Sequence, residues 1–309
     1  MQRPRDSLDS RSVPDWIAQP ERGNRLALHA YVRLALALGR PAARVFLYPV
    51  CAYFLLFARS ARSASRAYLR KALAREPRVA DLYRHFLTFA STILDRVFLL
   101  KGRYSEFEIH THGEDVVADL VARGEGCFLL GAHMGSFEVI RALGGDARGL
   151  RVSLVMYEEN ARKLSSVLNA IKPDLAPRII ALGKMDAMLK VEQALERGEF
   201  VGMLGDRTIA GEGTMTCAFL GDAAPYPLGP FRLAAMLERP IVLMFGLYRG
   251  GNRYDIHFER LAAAPVEGLA GRNALMEQSV RSYVARLEHY CRLAPYNWFN
   301  FYDYWNKSP

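Results

Sequence analysis

The stretch CFLLGAHMGSFEVIRALGG, Cys127 to Gly145, decides the fold prediction. It begins with an apolar run typical of a fully buried strand and continues into a mixed polar and apolar pattern typical of a helix. Gly131, His133 and Gly135 lie at the junction, and the carboxylate of Glu138 follows. A buried strand that passes directly into a helix is the repeating unit of α/β proteins, so the junction marks the carboxyl end of one strand.

Strand and helix patterns continue to alternate along the rest of the chain. The predicted strands are FEIHTHGED, CFLLGAH, RVSLVMY, RIIAL, FVGMLGD, PIVLMFGLYRG and RYDIHFERL. Helical patterns such as DVVADLVARGEG, ARKLSSVLNAI and KMDAMLKVEQALERG separate most of them. This order favours parallel pairing with right-handed crossovers. We therefore predict an α/β fold with a layered mixed, mostly parallel sheet flanked by helices.

The first third of the chain has a different texture, with helical spacing and few β-rich stretches. Residues 24–100 are predicted to form a helical, membrane-associating region, after a loose N-terminus at 1–23 and before an α/β core at 101–309. The 309 residues suffice for a sizeable core, and the formal charge is +9. Four widely spaced cysteines form no Cys-x-x-Cys pair, which favours a reducing environment over disulfides.

An uncharged apolar segment, Val45 to Ala58, gives this region its predicted role. It is shorter than the roughly 20 residues that a spanning helix needs. Arg44 precedes it and the arginine-rich stretch from Arg59 to Arg78 follows, a pattern that suits a segment lying in the cytoplasmic leaflet of a membrane. We therefore predict a peripheral or monotopic protein that lies on the cytoplasmic face of a membrane without crossing it. An ordinary buried core helix is the alternative.

His133 and Glu138 are the candidate catalytic pair. In a regular helix, five positions would turn the two side chains apart by roughly 140°. They can meet only if His133 lies in the turn before the helix and Glu138 in its first turns. Gly135 gives that turn its backbone freedom and Ser136 can cap the helix, and both residues are also candidate substrate contacts. The Glu138 carboxylate would then hold one ring nitrogen of His133, making the imidazole a general base for a hydroxyl or amine.

A second block of residues offers candidate substrate contacts. Asp206 and Arg207 end the buried strand FVGMLGD, where Arg207 can hold a phosphate or phosphopantetheine and Asp206 can anchor it. Gly213 and Thr214 lie in the flexible GEGTM segment, a candidate lipid-facing loop or oxyanion site. The turn-rich LGDAAPYPLGP leads into a helix that carries a further cation, Arg232. A surface ion pair and a plain loop are the alternatives.

These two blocks resemble a known family. His133-x4-Glu138 in GAHMGSFE resembles the His-x4-Asp/Glu signature of the lysophospholipid acyltransferase superfamily, in its bacterial lipid A lauroyl/myristoyl acyltransferase branch. The block from Gly205 to Val242 is similar to that branch's Asp-Gln/Arg and Pro-x-Gly elements. The resemblance implies acyl transfer from an acyl carrier protein (or CoA) thioester to a membrane lipid, with no cofactor and no metal. It also implies a location on the cytoplasmic face of the bacterial inner membrane.

Two departures bear on the acceptor and the acyl chain. Glu158 and Glu159 stand where the lipid A branch tends to carry an arginine, which favours an acceptor less anionic than a lipid A precursor. The tail YNWFNFYDYW, Tyr296 to Trp305, resembles acyltransferases of aryl-polyene pathways. Trp298 is therefore a candidate contact for an extended acyl chain, and core packing of the tail is the alternative. A lipid A precursor remains the alternative acceptor.

Other patterns narrow the function. His110 and His112 share a strand face, but no third ligand follows at a convincing spacing, so we predict no metal site. The sequence has no Gly-x-Ser-x-Gly elbow, P-loop or dinucleotide fingerprint. It also has no recognition module for nucleic acid, so no nucleic-acid partner is expected. A non-catalytic protein that binds anionic membranes through its basic region is the alternative from another functional class.

Overall fold

The computed structural model describes residues 25–143, 150–157, 178–182, 186–208, 211–261 and 268–305. The predicted loose N-terminus at 1–23 lies outside these residues, as do the acidic pair Glu158 and Glu159 and the predicted helix ARKLSSVLNAI.

A seven-stranded sheet forms the centre of the molecule, which confirms the predicted α/β class. Its strand order is β1-β9-β8-β2-β5-β3-β4. The strands are β1 (Glu108–His112), β2 (Cys127–Gly131), β3 (Val152–Tyr157), β4 (Arg178–Leu182), β5 (Phe200–Leu204), β8 (Ile241–Gly250) and β9 (Arg253–Arg260). Strands β8, β2, β5, β3 and β4 run parallel, whereas β9 pairs antiparallel with β8 and parallel with β1.

Helices cover both faces of the sheet. They are α1 (Arg25–Leu38), α2 (Arg40–Val45), α3 (Leu47–Phe57), α4 (Arg59–Ala72), α5 (Val79–Leu100), α6 (Glu114–Ala122), α7 (Ala187–Glu196), α8 (Gly229–Met236) and α9 (Gly268–Leu293). Alternate residues of β2 enter different cores: Phe128 and Leu130 join α7, α8 and α9, whereas Cys127 and Leu129 join α5 and α6. Burial on both faces explains why this strand is continuously apolar.

The sequence prediction was wrong for the segment after β5. Residues interpreted there as a flexible loop and a turn-rich lead form an antiparallel hairpin of β6 (Thr214–Phe219) and β7 (Asp222–Pro227). Leu220 and Gly221 make its two-residue turn, and both have positive φ. That backbone matches the right-handed twist of paired strands, so the turn stabilises the hairpin despite the non-glycine residue at its first position.

Helix α3 presents an apolar surface to solvent. It buries only Leu47 and Cys51, while Phe57 is 63% exposed and Tyr53 is 52% exposed. The alternative of an ordinary core helix is therefore wrong. Among the described helices, none is by itself long and apolar enough to cross a membrane; only Arg40–Phe57 taken with Arg59–Ala72, bent by 93°, meets the length and composition test.

Two arginines fix this helical region in place. The Arg40 guanidinium binds the buried Asp95 carboxylate of α5 through Nε at 2.7 Å and Nη2 at 2.9 Å. Tyr254 of β9 donates its hydroxyl to the same carboxylate at 2.8 Å, which ties α2 to the sheet. Arg62 donates to the Leu55 carbonyl oxygen at 2.7 Å, which satisfies an otherwise orphan acceptor at the end of α3.

Candidate active site

The site forms where two neighbouring parallel strands end. Strands β2 and β5 pair with Gly131 opposite Leu204. His133 and Asp206 each follow two residues later, so both stand at the same carboxyl edge. Binding and catalytic sites of open α/β sheets commonly lie at this edge, because the strand ends leave side chains accessible between the flanking helices.

Asp206 holds the His133 ring in one orientation. Its Oδ1 lies 2.8 Å from Nδ1 of His133, and its Oδ2 accepts the His133 backbone N–H at 3.0 Å. Oδ2 also accepts from Nε1 of Trp298 at 2.9 Å and from Nδ2 of Asn300 at 3.0 Å. A carboxylate accepts only, so Nδ1 carries the proton and the neutral ring has its lone pair on Nε2. The His133 side chain is 30% exposed, whereas that of Asp206 is fully buried.

The predicted contact between Glu138 and the His133 ring is not formed. Glu138 instead pairs with Arg96 of α5, with Oε1 2.9 Å from Nε. Glu138 begins a short 3₁₀ helix, Glu138–Leu143, where we had expected an α-helix. Asp206 occupies the orienting position because its strand runs beside β2, whereas the chain after Gly135 turns Glu138 toward α5.

Charge around His133 favours the neutral imidazole. Burial lowers the pKa of His133, the positive charges of Arg207 and Arg96 lower it further, and Asp206 partly offsets these effects. Burial alone would raise the pKa of Asp206, but His133 and Arg207 hold it well below its usual range. A neutral histidine beside a charged aspartate is the pairing that a general base needs near neutral pH.

Gly135 and Ser136 have structural contacts rather than an open binding surface. Gly135 has φ +57°, and a Cβ there would overlap the carbonyl of Gly246 in β8. Its N–H donates to the Asn297 carbonyl at 2.8 Å, and the Ser136 N–H donates to the Gly246 carbonyl at 2.8 Å. The predicted backbone freedom at Gly135 is thus confirmed. The Ser136 hydroxyl lies 3.5 Å from Oε2 of Glu138 and shows no capping contact.

Trp298 is a core residue. It is fully buried, with its ring against Tyr68, Phe219 and Tyr304, which is the core packing given above as the alternative to a contact with an acyl chain. Its indole N–H still supports the site by donating to Asp206.

Arg207 lies against the same C-terminal segment. Its Nε donates to Oδ1 of Asn300 at 2.7 Å and its Nη2 donates to the Phe299 carbonyl at 3.2 Å. Segment 297–300 therefore clamps both Asp206 and Arg207 into position.

The remaining predicted contacts form a separate group. Gly213 and Thr214 are exposed at the start of β6, and Arg232 is exposed on α8. The Gly213 carbonyl accepts the backbone N–H of Leu228 at 2.9 Å. Within the described ranges, no hydrogen bond or ion pair joins any of these three residues to His133.

Two residues of the site escaped the sequence reasoning. Arg96 lies in a long amphipathic helix, where the sequence pattern of an arginine is typical of an ordinary solvent-exposed side chain. Asn300 lies in an aromatic tail far from His133 in the chain. The sequence does contain one pattern from which the contact between His133 and Asp206 could be predicted. Both residues follow a buried strand, and two strands that each end in a titratable side chain are candidates for neighbours in a parallel sheet.

Together these residues can remove a proton from a hydroxyl or amine at the His133 Nε2 atom, with Asp206 stabilising the imidazolium that results. The fold and site thus define an α/β protein with a histidine–aspartate pair at the carboxyl edge of its sheet, an arrangement that can act as a general base.

Comparison with protein families gives the class of reaction. Residues 29–307 match the family described as bacterial lipid A biosynthesis acyltransferase. Because the match spans most of the chain, the protein belongs to this family. It is an acyltransferase of lipid biosynthesis, and the family indicates a lipid acceptor. No curated protein matches the sequence.

Proposed function

We propose that the protein transfers an acyl chain from an acyl carrier protein (or CoA) thioester to a membrane lipid, with His133 as general base. The observation that carries this proposal is the 2.8 Å contact between the His133 ring and the buried Asp206 carboxylate. Nε2 takes the proton of the acceptor hydroxyl or amine as the oxygen or nitrogen of that group attacks the thioester carbonyl carbon. The tetrahedral intermediate then breaks its C–S bond, and the leaving thiolate takes the proton from Nε2.

Two cations favour this chemistry. Arg96 and Arg207 are both near enough to lower the pKa of His133, so negative charge that develops on the thioester oxygen meets a positive field. Glu138 positions Arg96 through their ion pair. In this proposal His133 is the catalytic residue, and Glu138 and Asp206 are positioning residues.

The experiment for this function compares lipids from cells with the intact gene and cells carrying the His133→Ala form. Mass spectrometry should show one lipid class that loses an acyl chain in the variant, with its unacylated precursor accumulating. Identical lipid profiles would contradict the proposal. A lipid A precursor and a less anionic lysolipid are distinguished by the mass of the accumulating species.

The acyl chain has a candidate path beside His133. Phe86, Phe89, Phe299 and Phe301 form a phenylalanine cluster, and the Phe299 N–H donates to the His133 carbonyl at 2.7 Å. The rings of Phe86 and Phe301 stack with centroids 5.1 Å apart. Phe89 and Phe301 are partly exposed, so a chain bound at the site can contact them. Flat aromatic faces suit an aryl-polyene or similar chain as well as a saturated one.

Phe301→Ala should change the preference among acyl donors by about tenfold, because loss of one ring contact is worth roughly 1.4 kcal/mol. The measurement is the ratio of turnover with conjugated and saturated thioesters. Trp305→Ala is the matched control, since its ring stacks on Phe219 in the core. An unchanged ratio in Phe301→Ala, or an equal change in the control, would show that the phenylalanine cluster does not bind the acyl chain.

The exposed face of α3 supports membrane attachment. Tyr53, Phe54 and Phe57 project from it, and Arg59 and Arg66 of α4 are exposed just beyond. Aromatic side chains next to arginines suit the interface of an anionic leaflet. This arrangement supports a peripheral or monotopic location on the cytoplasmic face of the bacterial inner membrane. The same exposed face would also suit the alternative of a non-catalytic membrane-binding protein. A measured acyl-transfer activity would exclude that alternative.

Replacing Tyr53, Phe54 and Phe57 together by Ser should weaken binding to anionic vesicles by about 10²-fold or more, because each aromatic ring transferred from water contributes on the order of 1 kcal/mol. Vesicle sedimentation measures this change. The control replaces Met188, Leu189 and Met236, which are exposed apolar residues of α7 and α8, by Ser. Equal losses in the two triple variants would show that α3 is not the attachment surface.

A further inference from the structure

Three potential metal ligands meet at the edge of the sheet that β1 forms. Strands β1 and β9 pair in parallel with His112 opposite His257. The two imidazoles stack with centroids 4.5 Å apart and an interplanar angle of 11°. Asp255 precedes His257 by two residues, so it projects from the same strand face. One ligand atom from each of the three residues lies within 4.8 Å of the other two.

The sequence reasoning predicted no metal here because it found no third ligand for His110 and His112. The missing ligands come from β9, which the chain reaches only after more than 140 further residues. Strand pairing at that separation leaves no local sequence signal. The structure also shows that His112, and not His110, belongs to this cluster. Nε2 of His110 lies 2.7 Å from Oε1 of Glu108, whereas His112 lies beside His257 and Asp255.

We propose that His112, Asp255 and His257 bind a divalent transition metal ion of the Zn²⁺ type. Imidazole and carboxylate ligands suit this class of ion, and three protein ligands leave a fourth position for water. Ligand atoms on one tetrahedral zinc lie roughly 3.3 Å apart, given metal–ligand bonds of about 2.0 Å. The two stacked rings must tilt toward one ion to reach that geometry, and His112 is exposed and the other two residues are half-buried, which leaves room for side-chain rotation.

The surroundings tune this site without closing it. Arg249 pairs with Oδ2 of Asp255 at 3.1 Å, and a carboxylate has a second oxygen that can bind a cation. Its positive charge weakens cation binding through repulsion. The ring of Tyr290 packs on His257 with centroids 5.0 Å apart, which restricts the imidazole on its inner side.

The consequence of metal binding is a brace on the sheet. Strand β1 is an edge strand whose only partner in the described sheet is β9. A metal bound by one ligand from β1 and two from β9 links the strands and stabilises the folded state by mass action. The strands β9 and β2 are separated by β8, so the site stands apart from His133 and its test needs no acyltransferase activity.

Titration of the purified, metal-stripped protein with Zn²⁺ by calorimetry tests the proposal. We expect one ion per chain, and at least about tenfold weaker binding in His112→Ala and in His257→Ala. Co²⁺ should give visible absorption bands of a four-coordinate ion that both variants lose. Arg249→Ala should bind Zn²⁺ more tightly than the wild type, because the competing cation is removed.

His110→Ala is the matched control, since this histidine lies on the same strand and face but outside the cluster. It should bind Zn²⁺ as the wild type does. Equal weakening in the His110 and His112 variants, or no binding of Zn²⁺ by the wild type, would overturn the proposal. His112→Ala replaces an exposed side chain, so circular dichroism should show an unchanged fold; a folded His112→Ala protein with wild-type affinity would also overturn it.

Discussion

His133→Ala should reduce acyl transfer by about 10² to 10⁴-fold or more while the protein stays folded, because general-base catalysis contributes on this scale. The His133 ring is 30% exposed and donates to a single side chain, so its removal leaves the surrounding core in place. Turnover with a saturating thioester and circular dichroism together measure the two parts of this expectation.

His289→Ala is the control for loss of a histidine, since His289 is exposed on α9 and has no hydrogen bond to the site. It should keep wild-type turnover. A folded His133→Ala protein that transfers acyl chains at a near wild-type rate would show that His133 is not the base.

Asp206→Asn should lower turnover by about 10³ to 10⁴-fold, although the substitution conserves shape. Three N–H donors, from His133, Trp298 and Asn300, converge on Oδ2, so the amide oxygen must take that position. The amide NH₂ then faces Nδ1 of His133 and donates to it. The neutral ring consequently carries its proton on Nε2 and cannot accept one from the acceptor lipid.

The pH dependence separates this role of Asp206 from a purely structural one. The negative charge of Asp206 raises the pKa of His133, which burial and the two arginines lower. Activity needs the neutral ring, so it falls as the pH drops through that pKa. In Asp206→Asn the pKa of His133 falls further, and the acidic limb of the residual activity should move to lower pH.

Glu138→Gln provides the matched comparison. Glu138 does not contact the His133 ring, so Glu138→Gln should reduce turnover only by weakening the ion pair that positions Arg96. Asp206 should still orient the ring in this variant. The neutral ring keeps its proton on Nδ1 in this variant. If Glu138→Gln lost activity as completely as His133→Ala while Asp206→Asn kept it, the assignment of Asp206 as the orienting carboxylate would be wrong.

The sheet was predictable because its strands are short apolar runs bounded by glycines and helical patterns. Strand β2 shows this best: burial on both faces makes it continuously apolar, and Gly131 and His133 mark its end. The hairpin of β6 and β7 was missed because DAAPYP contains two prolines and little apolar alternation, and its pairing depends on a turn at Leu220 and Gly221.

The position of His133 could be predicted, but its partner could not. Spacing along the chain drew attention to Glu138, five residues away, whereas the contact is made by Asp206, which parallel pairing of β2 and β5 brings alongside. For the same reason, the pairing of β1 with β9 that brings the proposed metal ligands together could not be predicted from the sequence. Trp298 packs in the core, and its burial could not be predicted because an aromatic tail has the same sequence appearance whether it lines a pocket or fills the core.

The most direct test of the central claim is an acyl-transfer assay with the purified protein in anionic vesicles. Acyl carrier protein and CoA thioesters of saturated and conjugated chains are offered with lysophospholipid and lipid A precursor acceptors, and mass spectrometry follows each acceptor. We predict that one acceptor gains the mass of one acyl chain with the wild type and that none does with His133→Ala. Vesicle binding without an acylated product from any pair would contradict the account and favour a non-catalytic membrane-binding protein.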